Sequence, residues 1–409
     1  MNEKGHIPAK TMSPDEFREA GYQHIDWITR YFERVREFPV LPKVEPGELA
    51  ARLPKSAPET GEPIERILED FNNTVFPGLT LWNHPRFFAW FANSSSPPSI
   101  LAELLIAAMN VNVMLWKSSP SATELEQVTL SWLRQWLQLS ESFFGIIYDT
   151  ASVGVLQAIG AAREWKDPGC RVKGMKPGMT VYLSEHTHSS SEKATITLGF
   201  GQENVRKIGV DDRFRMRPEL LEEAIVSDLA SGKTPCCVVA TVGTTSITSI
   251  DPVPEIASIA ERYGIWLHVD AAYGGPAAIV PEMRHILDGA ERAHSLILNP
   301  HKWLFVSMDC SVLYTRFPEV FKRASSLSAE YLKTAEDSLV VNYNDYGVQL
   351  GRRFRALKLW YVMRYYGHQG VIALLRDSLR LAQFLAARIQ ENPDFELSAP
   401  VLFSLVCFR

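Results

Sequence analysis

The strongest constraint on this chain is an alternation that runs from residue 145 to residue 314. Seven short runs rich in β-branched and apolar residues (145–148, 180–184, 205–210, 236–242, 265–270, 295–298 and 310–314) are separated by stretches of helical periodicity. Strands that alternate with helices predict a mainly parallel, seven-stranded sheet covered on both faces, an α/β fold. Ligands of such sheets sit beyond the carboxyl ends of the strands. At 409 residues the chain exceeds one ordinary core, so smaller parts are expected beside this large body.

The flanks carry different signals. Ser13, Pro14 and Glu16 supply an N-cap, a first-turn proline and a capping-box glutamate, and Phe17, His24, Ile28, Phe32 and Val35 then recur at helical spacing. Six prolines between residues 39 and 63 predict an extended arm. A helix follows from about Ile64, and a second capping box, Ser121 and Glu124, opens an apolar-periodic helix reaching residue 139. Residues 325–344 are polar and without periodicity, as expected of a mobile functional loop. Two helical stretches, 350–366 and 371–391, precede a strand-like run over 401–408, where the chain ends abruptly.

Charge and cysteine usage narrow the partners. The net charge is −5 and the Lys and Arg residues are scattered, which excludes the basic stripe of a nucleic-acid binder and favours a small-molecule partner. Cys170, Cys236, Cys237, Cys310 and Cys407 lack metal-site spacing and read as thiols of a reducing compartment. The N-terminus has no secretory pattern. The most apolar stretch, 100–116, is interrupted by Glu103, Asn110 and Asn112 and is too short to span a bilayer. A cytoplasmic protein with no membrane partner is expected.

Several residues at predicted strand ends carry chemistry. Asn299-Pro300-His301-Lys302-Trp303 places a lysine just past a strand, where its amine is a candidate Schiff-base nucleophile. Taken alone, such a lysine is ordinarily a solvated surface group. Asp270 ends the run Ile265-Trp266-Leu267-His268-Val269, and a carboxylate there costs free energy unless a cation, such as a protonated pyridine nitrogen, pairs with it. Thr150, Ala151 and Ser152 open a helix after a strand, which suits either an anion or ordinary capping. His188 follows the run 180–184, where an imidazole can stack on a planar cofactor or move protons. Its spacing of two from His186 does not suit zinc, and no metal is expected.

Three separated motifs carry a resemblance: Asn299-Pro300-His301-Lys302-Trp303, the run His268-Val269-Asp270-Ala271-Ala272-Tyr273, and Gly351-Arg352-Arg353-Phe354. The chain resembles the group II decarboxylases dependent on pyridoxal 5′-phosphate (PLP), specifically the aromatic L-amino acid decarboxylases, from about Ser13 to Arg409. The resemblance implies fold type I and a homodimer with active sites at the subunit interface. It also implies three parts: an N-terminal helical segment packing on the partner (1–85), a large PLP-binding domain (86–350), and a small C-terminal α+β domain (351–409) that lacks its final residues. Carried over by position, Lys302 bears the cofactor, Asp270 pairs with its ring nitrogen and His188 stacks on the ring. Ala151, Ser152 and Asn299 hold the phosphate, while Thr244, Ala272 and His301 lie near the cofactor.

Tyr331 matches the loop tyrosine that protonates the substrate carbon. The related aldehyde synthases typically carry phenylalanine there, so decarboxylation is favoured. Trp82, Trp90, Ala92, Asn93 and Met114 fall where the family lines its substrate pocket, and aromatic walls suit an aromatic substrate. Gly351 occupies a position that varies between glycine and serine in plant relatives and leans towards indolic substrates or dopa. The expected reaction releases carbon dioxide and an arylalkylamine from tryptophan, tyrosine, phenylalanine or dopa. The alternatives are an aldehyde synthase, an enzyme acting on an acidic amino acid, and a catalytically silent paralogue or fragment.

Overall fold

The computed structural model describes residues 11–91, 93, 95–327, 336 and 339–409. Two compact units form, Met1–Ala92 and Asn93–Arg409.

In the first unit, helix α1 (Pro14–Arg34) starts as its sequence predicts. The Ser13 hydroxyl accepts from the Glu16 N–H, and the Glu16 carboxylate accepts from the Ser13 N–H at 2.7 Å. The proline-rich stretch contains one short helix, α2 (Glu48–Arg52), because Gly47 adopts a left-handed conformation that lets the chain turn into it. Helix α3 (Ile64–Asp70) follows. Trp27 of α1 stacks on Tyr31 and meets Phe71 and Phe76 edge-on, so aromatic packing forms the heart of this unit.

The second unit opens with α4 (Pro97–Met109) and α5 (Pro120–Trp136). The N-cap of α5 is Ser119 rather than Ser121, since Pro120 takes the first helical position and Glu124 accepts from the Trp116 indole N–H at 2.8 Å instead of closing a capping box. Strands and helices then alternate: β1 (Phe144–Tyr148), α6 (Ala151–Lys166), α7 (Cys170–Lys173), β2 (Met179–Ser184), α8 (Ser189–Thr197), β3 (Val205–Ile208), α9 (Pro218–Ala230), β4 (Thr234–Thr241), α10 (Val253–Arg262), β5 (Trp266–Asp270), β6 (Ser295–Leu298), α11 (Pro300–Trp303), β7 (Ser311–Thr315) and α12 (Pro318–Ser325). The strands form one sheet in the order β1-β7-β6-β5-β4-β2-β3. Only β7 runs against its neighbours, pairing antiparallel with both β1 and β6.

Helices α6, α8 and α12 pack on one face of the sheet, and α9 and α10 on the other. Buried on both faces, the central strands read as near-continuous apolar runs. Helix α6 lies so close that a Cβ at Gly154 would fall 2.1 Å from the Ile297 side chain of β6. The final helix, α13 (Ala356–Gln390), bends at Gly367 (φ 63°, ψ 173°), which accounts for two separate helical patterns in the sequence. The strand expected over 401–408 does not form. A single bridge joins Leu397 to Phe408, flanked by backbone bonds from Ser398 to Cys407 and between Glu396 and Arg409, and no ladder reaches residues 401–406.

Candidate active site

Parallel strands deliver their C-terminal turns to one edge of the sheet, and three neighbouring strands, β4, β5 and β6, carry expected residues there. Asp270 is the last residue of β5 and is 5% exposed. One of its carboxylate oxygens accepts from the Ala272 N–H at 3.0 Å, which orients the group and leaves the other oxygen available to a cation. After β6, Asn299 caps α11 and Lys302 lies within that single turn. Burial lowers the Lys302 pKa from its ordinary 10.5, while the nearby Asp270 carboxylate opposes the fall. A lowered pKa raises the fraction of neutral, nucleophilic amine at physiological pH.

His188 reaches the same place from β2 as the N-cap of α8. Its Nδ1 accepts from the Ser190 N–H at 3.2 Å, so the ring proton sits on Nε2. Burial pushes its pKa below 6.5; Asp270 opposes this shift and Lys302 adds to it. One histidine therefore senses both the carboxylate and the lysine, which brings the three within electrostatic reach of each other.

The surrounding residues are locked by hydrogen bonds. The His301 Nδ1 accepts from the Cys310 N–H at 2.9 Å, and burial holds the ring neutral with a pKa of about 4. The Asn299 carbonyl oxygen accepts from the Ser311 hydroxyl at 2.6 Å, which leaves the amide NH₂ as a donor. Asn299 N–H donates to the Ala272 carbonyl at 3.0 Å, tying the turn after β6 to the turn after β5. Thr244, beyond β4, is buried and its hydroxyl accepts from the Ser249 N–H at 3.0 Å.

An anion cradle lies nearby. Thr150 caps α6 without using its side chain, so the first-turn N–H groups near Ala151 and Ser152 keep no side-chain partner. Asp149 accepts from the Thr150 N–H at 2.6 Å and from the Gln349 amide at 2.9 Å, which fixes the entry to the helix. Because Gly154 abuts Ile297, this helix terminus sits beside the strand that leads to Asn299. The donor set suits PLP: an anion at the α6 terminus, an aldehyde at the Lys302 amine, and a protonated ring nitrogen at Asp270.

The expected substrate residues are distributed over both units. Trp82 and Trp90 stack on each other in the first, with ring centres 5.3 Å apart. In the second, Asn93 donates to the Met308 sulfur at 3.7 Å. Met114 and Gly351 come together because Val113 N–H donates to the Arg352 carbonyl and Arg352 N–H to the Asn112 side chain, each at 2.9 Å. Ala92, Tyr331 and half of the 325–344 loop lie outside the described residues. Sequence reasoning missed Ser190, Ser311 and Gln349. Each acts through hydrogen bonds to a single partner, and for Gln349 that partner is 200 residues away.

Residues 46–409 match the pyridoxal-dependent decarboxylase conserved domain. The chain is 41% identical to phenylacetaldehyde synthase from Rosa hybrid cultivar, over 98% of this chain and 80% of that protein. It is 40% identical to tyrosine decarboxylase from Papaver somniferum, over 97% and 80% respectively. The crystal structure of Catharanthus roseus tryptophan decarboxylase in complex with L-tryptophan superposes with a TM-score of 0.93 at 38% identity, covering 98% of this chain and 86% of that one. A seven-stranded α/β sheet that presents a lysine, a carboxylate and an imidazole at one edge thus coincides with a family match along nearly the whole chain: this protein belongs to the pyridoxal-dependent decarboxylases and its cofactor is PLP.

Proposed function

We propose that the protein decarboxylates an aromatic L-amino acid, releasing carbon dioxide and the corresponding arylalkylamine, with Lys302 as the cofactor lysine. The observation that carries this reading is that Lys302, half-buried in the turn after β6, and the buried carboxylate Asp270, at the end of the neighbouring β5, stand within electrostatic reach of one oriented imidazole, His188. The aromatic substrate is supported by the relatives named for tyrosine and tryptophan.

PLP, when bound, supplies the ring that accepts the electron pair left as carbon dioxide departs. This chain's residues do the rest. Asp270 holds a proton at the ring nitrogen. The first-turn N–H groups of α6 at Ala151 and Ser152, with the Asn299 amide, hold the phosphate. His188 borders the ring with its proton on Nε2, and Thr244, Ala272 and His301 complete the cofactor's surroundings. Tyr331 delivers a proton to the substrate carbon, and Asn93, Met114 and Gly351 are assigned to the substrate side chain.

A homodimer is part of the same proposal. Leu101, Leu104, Leu105 and Met109 form a stripe on α4, each between 44% and 53% exposed, and a second copy of this chain would cover it. A cytoplasmic location is consistent with five free cysteines. No helix among the described residues is long and apolar enough to cross a membrane.

The test supplies PLP and a panel of aromatic and acidic L-amino acids and measures amine, carbon dioxide and peroxide. Stoichiometric amine and carbon dioxide from an aromatic substrate are expected, with none from Lys302→Ala. Near-normal turnover in that variant would end the proposal. Peroxide in place of amine would identify an aldehyde synthase, the reaction expected of Tyr331→Phe.

A further inference from the structure

Beyond the residues assigned above, three aromatic rings link the turns that carry the chemistry. Tyr273 lies three residues after Asp270, and Trp303 directly follows Lys302. Their rings stack with centres 5.1 Å apart and planes 7° from parallel. Phe403, from the irregular C-terminal segment, is fully buried and meets both rings edge-on, its centre 6.1 Å from each at 80° and 84°. The Tyr273 hydroxyl is hydrogen-bonded to the Ser404 hydroxyl.

The turn after β4 joins the same cluster. A Cβ at Gly274 would stand 2.6 Å from the Val242 carbonyl oxygen and 2.9 Å from the Phe403 ring, so these groups meet with no spare space. Further along, the Cys407 thiol donates to the Ser246 carbonyl at 3.2 Å. Residues 401–407 belong to no strand; the segment is held by these turns, by the Gln383 amide, which donates to the Val401 carbonyl at 3.0 Å, and by backbone bonds between residues 396–398 and 407–409.

We propose that Tyr273, Trp303 and Phe403 form an aromatic seam that sets the spacing between the Asp270 turn and the Lys302 turn, with Ser404 anchoring it, which makes all four positioning residues for the cofactor site. The physical argument is rigidity. Amine and carboxylate must be held apart at one separation to engage the aldehyde and the ring nitrogen of a single planar group, and small displacements of such groups are costly. Offset-stacked and edge-to-face rings resist both sliding and separation; Tyr273 and Trp303 are each attached within three residues of the group they position, and Phe403 closes on both from the C-terminal segment. The inference rests on the reading of Lys302 and Asp270 given above. Failure of that reading would be visible in the unsubstituted protein as an absent PLP–lysine absorption band, whereas failure of the seam would be visible only in the variants.

The experiment compares Phe403→Leu, Tyr273→Phe and Ser404→Ala with Phe321→Leu, a fully buried aromatic of α12 outside the seam. The readouts are the dissociation constant of PLP from the apo protein, the pH midpoint of the cofactor absorption band, and kcat and KM for the amino acid. Phe403→Leu is expected to weaken PLP binding and lower kcat by about tenfold each, to shift the pH midpoint, and to leave KM nearly unchanged. Tyr273→Phe and Ser404→Ala each remove one hydroxyl of this link and are expected to show smaller losses of the same kind, larger for Tyr273→Phe, whose hydroxyl also bonds the Ser404 backbone. Phe321→Leu is expected to lower the unfolding temperature without moving the other readouts. Parallel behaviour of Phe403→Leu and Phe321→Leu overturns the proposal, because the seam would then be ordinary core. If Phe403→Leu does not fold, unaltered PLP affinity and pH midpoint in both hydroxyl-deletion variants overturn it equally.

Discussion

At the scale of single residues, the site works by controlling protons. Lys302 sits where burial favours its neutral form and Asp270 favours its charged form, with burial the larger effect. Removing the Asp270 charge therefore lowers the Lys302 pKa further. In apo protein, Asp270→Asn is expected to shift the pH midpoint of pyridoxal labelling at Lys302, trapped by borohydride, to lower pH; an upward shift would mean that Asp270 does not act on this amine. Histidine tautomers are set in the same way. Ser190 and Cys310 donate backbone N–H groups to Nδ1 of His188 and His301, so both rings present Nε2–H. A third histidine, His268, is fixed more indirectly. The Trp266 indole donates to the Ser295 hydroxyl, which is hydrogen-bonded to His268 Nδ1 at 2.8 Å.

Individual elements are joined by a few buried charged groups. Arg352 and Glu126 are both buried and bonded at 2.7 Å. The same guanidinium donates to the Val113 and Ile147 carbonyls and lies 4.4 Å from the centre of the Tyr343 ring. It thereby ties α5, the end of β1 and the 112–114 segment to the chain beyond the loop. Arg352→Met leaves a buried carboxylate unpaired and is expected to cost about 3–5 kcal/mol in urea unfolding. Adding Glu126→Leu should recover much of that loss, since the paired apolar replacement removes the uncompensated charge. If the double variant were no more stable than the single one, the ion pair would not be the source of the cost. Element positions were largely legible in the sequence, because all seven strands follow β-branched runs. The capping of α5 was not, since Ser119 and Ser121 flank Pro120 alike and only the Trp116–Glu124 bond shows which hydroxyl is left outside the helix.

For the whole molecule, buried histidines govern the response to acid. Burial depresses His268, His294 and His301 to about 4 from an ordinary 6.5. The unfolded chain then binds more protons than the folded one between those values, so stability is complete above about pH 6.5 and falls as pH drops towards 4. For the fully buried His268 the effect is about 3 kcal/mol at the acid end. Asp251 acts in the opposite sense: burial raises its carboxyl from 3.8 to about 6, so protonation there favours the folded state over part of the same window. Three groups outweigh one, and urea midpoints are expected to decline from pH 7 to pH 5. A flat profile would show that these histidines are not buried as neutral rings. The exposed α4 stripe yields another whole-molecule expectation: Leu104→Lys should shift sedimentation towards the monomer while leaving the far-ultraviolet helix signal intact.

The sequence by itself determined the order of elements and the α/β class, and it singled out Lys302, Asp270 and His188 as candidates. Those follow from local periodicity, from turn chemistry and from motifs a few residues long, all of which act over neighbouring positions. It said nothing of Ser311 holding Asn299, of Gln349 holding Asp149, or of Phe403 closing on Tyr273 and Trp303. These pairings join residues up to 200 positions apart, or turns of separate strands, and no periodicity links such positions. Only the tertiary structure decided them, because hydrogen-bond direction and ring contact depend on which strand lies beside which, and a sheet order that sets β1 beside β7 and β2 beside β4 is settled by packing rather than by chain order. The same reason accounts for the strand expected over 401–408: its composition is strand-like, but a strand needs a partner along its length, and here residues 397–398 pair only with its end while Phe403 and Ser404 meet turns instead.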